Sequence, residues 1–300
     1  MFPFVLHYDS VIIPTFFAMV MLGVLLCTFY LYFRAPKLGF SQVAILDLGI
    51  IGAVSGIVGA RIYHIVIEAW LSNPPIWSPD KMAWINMWDF YREDYWRIFE
   101  FWRGGFVSYG AYIFGTLAVV LYLKYRKLPV LKYGDFVALA IPIIVVFVRI
   151  GCLGAGCCYG KPTDFFIHLI FPHKIDNGPP VGVPLHATQI YDLLNGVFLF
   201  IVLNLFYKKR KFDGQILLFF FMGYSFIRGL IEFMRGDEDR GVHFKEVLSI
   251  AGIPGLSSAQ VTGLIVIAVC AVFYAILSSR HKRALAKNTL SVAGNSASTL

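Results

Sequence analysis

The chain has 300 residues, of which 58% are hydrophobic and only 15% charged, and its formal net charge is +8. A soluble domain carries about 25% charged residues, so a water-soluble globular fold is excluded, and a mean hydropathy of +0.69 is that of an integral membrane protein. The basic excess does not call for nucleic acid, because most of it lies in short loops between apolar runs, where membrane topology explains it.

A spanning helix needs about 20 mostly apolar residues. In chain order the windows 12–33, 43–67, 105–123, 135–156, 188–207, 214–234 and 259–279 qualify. The first lacks a basic leader and a small-residue cleavage site and reads as a retained helix, not a signal peptide. The segments 34–42, 124–134, 208–213 and 280–300 together hold fourteen Lys and Arg, whereas the longer segments 68–104, 157–187 and 235–258 hold nine, interspersed with acids. This asymmetry places the N-terminus outside and the C-terminus in the cytoplasm. The expectation is an all-α integral membrane protein of about seven transmembrane helices. One membrane domain covers 1–283, with an outer segment at 68–104 whose mixed Trp, Tyr, Phe and charges suit the membrane interface. The basic runs at 208–211 and 280–283 face anionic lipid headgroups, and the small, polar tail 284–300 reads as disordered.

Within this frame the second window places Gly49, Gly52, Gly56 and Gly59 along one helix face, which allows close helix approach. Arg61 follows near its outer end, within snorkelling reach of the interface. The third window opens with Gly104 and Gly105, and Tyr109 lies one turn in. In the fourth, Arg149 is set in 144-IVVFVRI-150 and is followed by Cys152, Cys157 and Cys158. Those thiols suit packing, a disulfide in an oxidising compartment, or a metal completed by His168, His173 or His186; the C-x4-C-C spacing is not that of a zinc knuckle. No metal and no cofactor are expected. The fifth window opens with His186, Gln189, Tyr191 and Asp192, the last favoured there by the helix dipole. The sixth carries Tyr224, Arg228, Glu232 and Arg235 on one helical stripe.

Intramembrane charges are costly and mark functional sites by default. Guanidinium groups match phosphate oxygens, and a phospholipid headgroup is the phosphate available at that depth. A structural ion-pair ladder would use the same residues.

Taken in order, these motifs resemble the prolipoprotein diacylglyceryl transferase family over about residues 12–279. The stretch 59-GARIY-63 is similar to the family's Gly-Gly-Arg stretch, through Arg61. Gly104, Gly105 and Gly110 match a Gly-Gly-x-x-x-His-Gly-Gly motif in which Tyr109 replaces the histidine. Arg149, Gly151 and Gly160 match an Arg-x-Gly-Asn-Phe-x-Asn-x-Glu segment and the glycine after it, with Cys152 for asparagine and Cys157 for glutamate. His186, Gln189 and Tyr191 match His-Pro-Ser-Gln-Leu-Tyr, the sixth-window stripe matches Gly-Tyr…Arg…Glu…Arg, and Phe16 stands where a tyrosine is common.

The resemblance implies a catalytic membrane domain in the bacterial inner membrane. That domain would move a diacylglyceryl group from phosphatidylglycerol to the lipobox cysteine of a preprolipoprotein, releasing glycerol 1-phosphate. It implies catalytic roles for Arg149, Arg228, Tyr109 and His186, and substrate contacts from Arg149, Arg61, Gly104, Gly105, Tyr224, Glu232 and Arg235. Rival readings of the same residues are a paralogue that binds lipid or transfers it to another acceptor, and a lipid or anion transporter.

Overall fold

The computed structural model describes residues 4–8, 11–78, 83–100, 105–172, 178–236, 242–243 and 255–297. These form two compact units, one over Phe4–Val130 and the other from Leu131 onward. Gly104 and His173, both singled out by the sequence, lie outside the described residues.

The first unit begins with a hairpin of β1 (Phe4–Tyr8) and β2 (Val11–Pro14). Helix α1 (Thr15–Arg34) follows and stops at the Ala35–Pro36 turn, where Gly39 takes a φ of 74°. Ser41 then caps α2 (Gln42–Tyr63) by accepting from the Ala44 amide at 3.3 Å, the usual way to satisfy an orphan helix N–H. The helix does not end at Tyr63. It continues as a π-helical stretch, His64–Ser72, and terminates at Asn73 with φ 43°. A second hairpin, β3 (Pro75–Ser78) with β4 (Ala83–Asn86), leads into α3 (Met87–Glu93) and a 3-10 turn at Tyr95–Phe99. The segment expected at the interface is thus a π-helical tail, a hairpin and short helices, and it leaves Trp84 and Trp96 exposed. Helix α4 (Ser108–Tyr125) packs along α2.

The glycine stripe works at specific points. A Cβ on Gly59 would meet Phe114 Cβ at 2.3 Å, and one on Gly110 would meet the Gly59 carbonyl oxygen at 2.3 Å. Here α2 and α4 touch backbone to backbone. Gly49 does the same for the Thr28 side chain on α1, while Gly52 and Gly56 have only ordinary contacts at 3.8 and 3.9 Å.

In the second unit α5 (Val130–Ala138) and α6 (Ile141–Ala155) form one apolar run bent by 45°. Pro142 in the first turn of α6 has no N–H to continue the ladder. Two short strands, β5 (His168–Ile170) and β6 (Pro184–His186), pair before α7 (Thr188–Phe206). Helix α8 (Gln215–Glu232) starts after Gly214, whose φ is 95° and which has no side chain to cap with. The buried carboxylate of Asp135 on α5 does this instead, accepting from the Gly214 and Leu217 amides at 2.8 and 2.9 Å. The short pair β7 (Val242–His243) and β8 (Leu256–Ser257) precedes α9 (Ser258–Ala297). Ser257 and Gln260 cap α9 reciprocally, each side chain accepting from the other's amide at 3.2 and 2.9 Å.

Among the described residues five helices are long and apolar enough to cross a membrane, and six if the bent α5–α6 pair counts as one span. The window at 105–123 falls short because α4 carries Tyr109, Tyr112, Tyr122, Lys124 and Tyr125. The backbone of α9 is helical to Ala297.

Candidate functional site

Three helices of the second unit bring charge together in an otherwise apolar interior. Asp192, on the second turn of α7, is the hub. Its Oδ2 lies 3.0 Å from Arg149 Nη2 on α6 and 3.4 Å from Arg228 Nε on α8. Arg228 Nη1 lies 2.5 Å from Glu232 Oε2, and Arg235 Nη1 approaches the same oxygen at 3.5 Å. The stripe predicted for the sixth window therefore exists, as a ladder along α8 that crosses to α6 and α7. Both carboxylates are almost fully buried, with side-chain exposures of 3% and 2%. Among the described residues three guanidiniums thus face these two carboxylates. Tyr224 stacks on Phe220 at 6.0 Å, within electrostatic reach of Arg149.

The cluster is not self-satisfied. Arg149 Nε, Asp192 Oδ1, Gln189 Oε1 and both amide atoms of Asn195 are buried without a hydrogen-bond partner among the described residues. Buried polar groups are almost always paired, and Gln189, Asp192 and Asn195 follow one another along α7 beside the arginine pair's shared carboxylate. Asp192 and Asn195 were not legible as members. The dipole at a helix start accounts for Asp192, and only the polar stripe Thr188, Asp192, Asn195 on an apolar helix hinted at more.

Backbone beside the cluster is tightly fixed. Thr188 Oγ1 donates to the Cys158 carbonyl at 2.6 Å and Gln189 Nε2 to that of Cys157 at 2.8 Å. A Cβ on Gly160 would overlap His186 at 2.4 Å, and Gly160 pairs with Arg235 across an isolated bridge. His186 ends β6 and faces Tyr191, with Nδ1 3.3 Å from its hydroxyl. That hydroxyl donates to the Ile167 carbonyl at 2.7 Å. All five cysteines are free thiols, so the disulfide alternative is not realised. Cys152 Sγ is 3.9 Å from Arg149 Nη1. Hydrogen bonds from Cys152 and Cys157, then Arg235 and Arg149, hold the Cys158 thiol well below its usual range, while hydrogen bonds with Cys152 and Cys158, and burial, push the Cys157 thiol up.

The first unit holds Arg61, Gly105 and Tyr109. Arg61 does not snorkel. It is 4% exposed and donates from Nε to the Ile98 carbonyl at 3.0 Å, from Nη2 to Arg97 at 2.6 Å and from Nη1 to Gly105 at 3.3 Å. Desolvation cost explains this: a buried guanidinium needs acceptors, and the loop before α4 supplies carbonyls. Gly105, with φ 74°, is where the chain passes so close that a Cβ would lie 2.5 Å from Arg61 Nη1. Next to it His64 bridges Glu68 Oε2 at 2.6 Å and the Tyr91 hydroxyl at 3.1 Å. Burial pushes the Tyr91 phenol up, against the pull of Arg61. Tyr109 is half-exposed, its ring 6.4 Å from that of Tyr63.

A multi-pass helical chain with a buried cluster of arginines and carboxylates between three helices defines the class: a multi-pass membrane protein with an intramembrane ionic cluster. Comparison with known proteins narrows it. A model of the prolipoprotein diacylglyceryl transferase family matches residues 3–276, and the chain belongs to that family. A phosphatidylglycerol–prolipoprotein diacylglyceryl transferase of Clostridium tetani is 32% identical, over 73% of this chain and 80% of its own. A second, from Clostridium perfringens, is 32% identical over 73% and 77%. One from Dehalococcoides mccartyi is 26% identical over 96% and 97%.

Proposed function

We propose that this protein transfers a diacylglyceryl group from phosphatidylglycerol to the lipobox cysteine thiol of a preprolipoprotein, forming a thioether and releasing glycerol 1-phosphate. One membrane domain over 1–283 would do so in the bacterial inner membrane, with seven spans, the N-terminus outside and the C-terminus cytoplasmic. The observation that carries the reading is the buried pairing of Arg149 and Arg228 on Asp192, with donors left over for an anion. The lipid phosphate takes those donors. As the carbon–oxygen bond breaks, the arginines stabilise the charge that gathers on the leaving phosphate. The nucleophile is the substrate's thiolate. His186 is suited to take its proton, since an imidazole nitrogen can act as a general base. Glu232 holds Arg228 and Arg235 in place, and Tyr224 lines the headgroup. From the first unit, the motif matches add Arg61, Gly104 and Gly105 for substrate binding and Tyr109 for catalysis. Arg61 would act by fixing the loop at Gly105, since its nitrogens already donate to carbonyls.

The test uses purified protein, phosphatidylglycerol labelled in its diacylglycerol part and a lipobox peptide. Label should move to the peptide with release of glycerol 1-phosphate, and a Ser-for-Cys peptide should accept none. Lipid that binds without transfer would instead favour a binding paralogue.

A further inference from the structure

The thiols of Cys152, Cys157 and Cys158 take no part in the reaction outlined above, yet their sulfurs lie within 4.8 Å of one another. The spacing C-x4-C-C is not that of a zinc knuckle, and the backbone supplies the reason that it still gathers. Helix α6 ends at Gly156, whose φ of 71° turns the chain back, and the Cys157 amide returns to the Cys152 carbonyl at 3.2 Å. Cys158 has a φ of 62°, a conformation uncommon outside glycine. Thr188 and Gln189 hold the carbonyls of Cys158 and Cys157 from α7, the kind of over-determination that keeps such a residue strained. The thiols are free. Metal–sulfur bonds of about 2.3 Å put thiolates roughly 4 Å apart around one ion, so shifts of under about 1 Å would close the cluster on it. Arg149, 3.9 Å from Cys152 Sγ, offsets the negative charge that three thiolates bring. Thiolate sets select zinc(II) or copper(I).

We propose that Cys152, Cys157 and Cys158 form a three-thiolate site for a thiophilic d10 cation, zinc(II) or copper(I), with one coordination position open. Cys157 is exposed, and among the described residues no histidine or carboxylate joins the three sulfurs. His168 Nδ1 is turned to the Phe165 carbonyl and His186 Nδ1 to Tyr191. An open position is what separates catalytic from closed structural zinc sites. If the transferase reading holds, on which this second step rests, that position suits the acceptor thiol. The thiol binds through sulfur, its S–H bond breaks, the proton passes to the base already assigned to it, His186, and a thiolate stands beside Arg149.

The test loads the full chain in detergent with cobalt(II) as the probe, then displaces it with zinc(II) or with copper(I) to tell the two apart. One cobalt per chain with a strong thiolate charge-transfer band is expected. Cys157→Ser and Cys158→Ser should each weaken binding by more than about tenfold, since loss of even an outer-shell partner costs 10–100-fold. Cys27→Ser and Cys270→Ser should not. Cys157→Ser guards against misfolding, because that side chain is exposed. No band, with all three thiols still open to a thiol reagent, would overturn the site. A cysteine lipobox peptide should shift the cobalt ligand-field bands and a serine peptide should not; unshifted bands, or transfer unchanged by chelation, would overturn the acceptor step alone. Cobalt bound with no transfer under any condition would count against the transferase reading and leave the site standing.

Discussion

At the residue scale Asp192 carries the most. One oxygen serves two arginines on two other helices, and the second oxygen has no partner among the described residues. Breaking a buried pair by removing one partner costs about 3–5 kcal/mol, because the remaining charge stays buried. Asp192→Asn should therefore lower unfolding stability in detergent by that order. Because the partners share one oxygen, Arg149→Ala combined with Asp192→Asn should destabilise by less than the two added; a double-mutant cycle reads this coupling, and additivity would show the pair to be energetically idle. The arginines were legible in the sequence because a charge inside an apolar run needs a reason. Asp192 was not, because a carboxylate near the start of a helix already has one in the dipole. Arg61 was misread for a related reason: snorkelling is the cheap solution near a helix end, and nothing local announced that carbonyls from Arg97, Ile98 and Gly105 would come to it.

At the element scale the α2–α4 contact depends on missing side chains. Gly110→Ala would drive a Cβ into the Gly59 carbonyl, backbone against backbone, with no rotamer to yield. Overpacking of this kind costs about 1–3 kcal/mol. Gly52→Ala, with its nearest neighbour at 3.8 Å, should be tolerated. Thermal unfolding of the two variants separates them, and equal losses would mean that the stripe acts through helix propensity and not through packing. The sequence placed all four glycines on one face. It could not say that only Gly49 and Gly59 sit at crossings, because that depends on where Thr28 and Gly110 arrive from other helices. The bend between α5 and α6 and the π-helical run after Tyr63 were equally hidden. Neither changes the apolar pattern that sequence reading follows.

At the scale of the whole molecule the apolar faces left exposed, such as Leu25, Phe29 and Phe33 on α1 or Leu264, Val272 and Phe273 on α9, are what lipid would cover. Fold class was legible from hydropathy alone. The span at α4 is weaker, because tyrosines suited to interfaces and headgroups dilute it. With the proposed topology, a reporter fused after residue 283 should be active only in the cytoplasm, and activity on the other side would reverse every side assignment. The proposed chemistry stands or falls with Arg149. The direct measurement is diacylglyceryl transfer to a lipobox peptide by wild type and Arg149→Ala, each verified as folded by its unfolding transition. Removing one transition-state donor costs about 10²–10³ in rate, and a guanidinium that also holds the lipid should cost at least that. Transfer should therefore fall to background in the folded variant. A folded Arg149→Ala protein that transfers at the wild-type rate would contradict the phosphate role of the cluster.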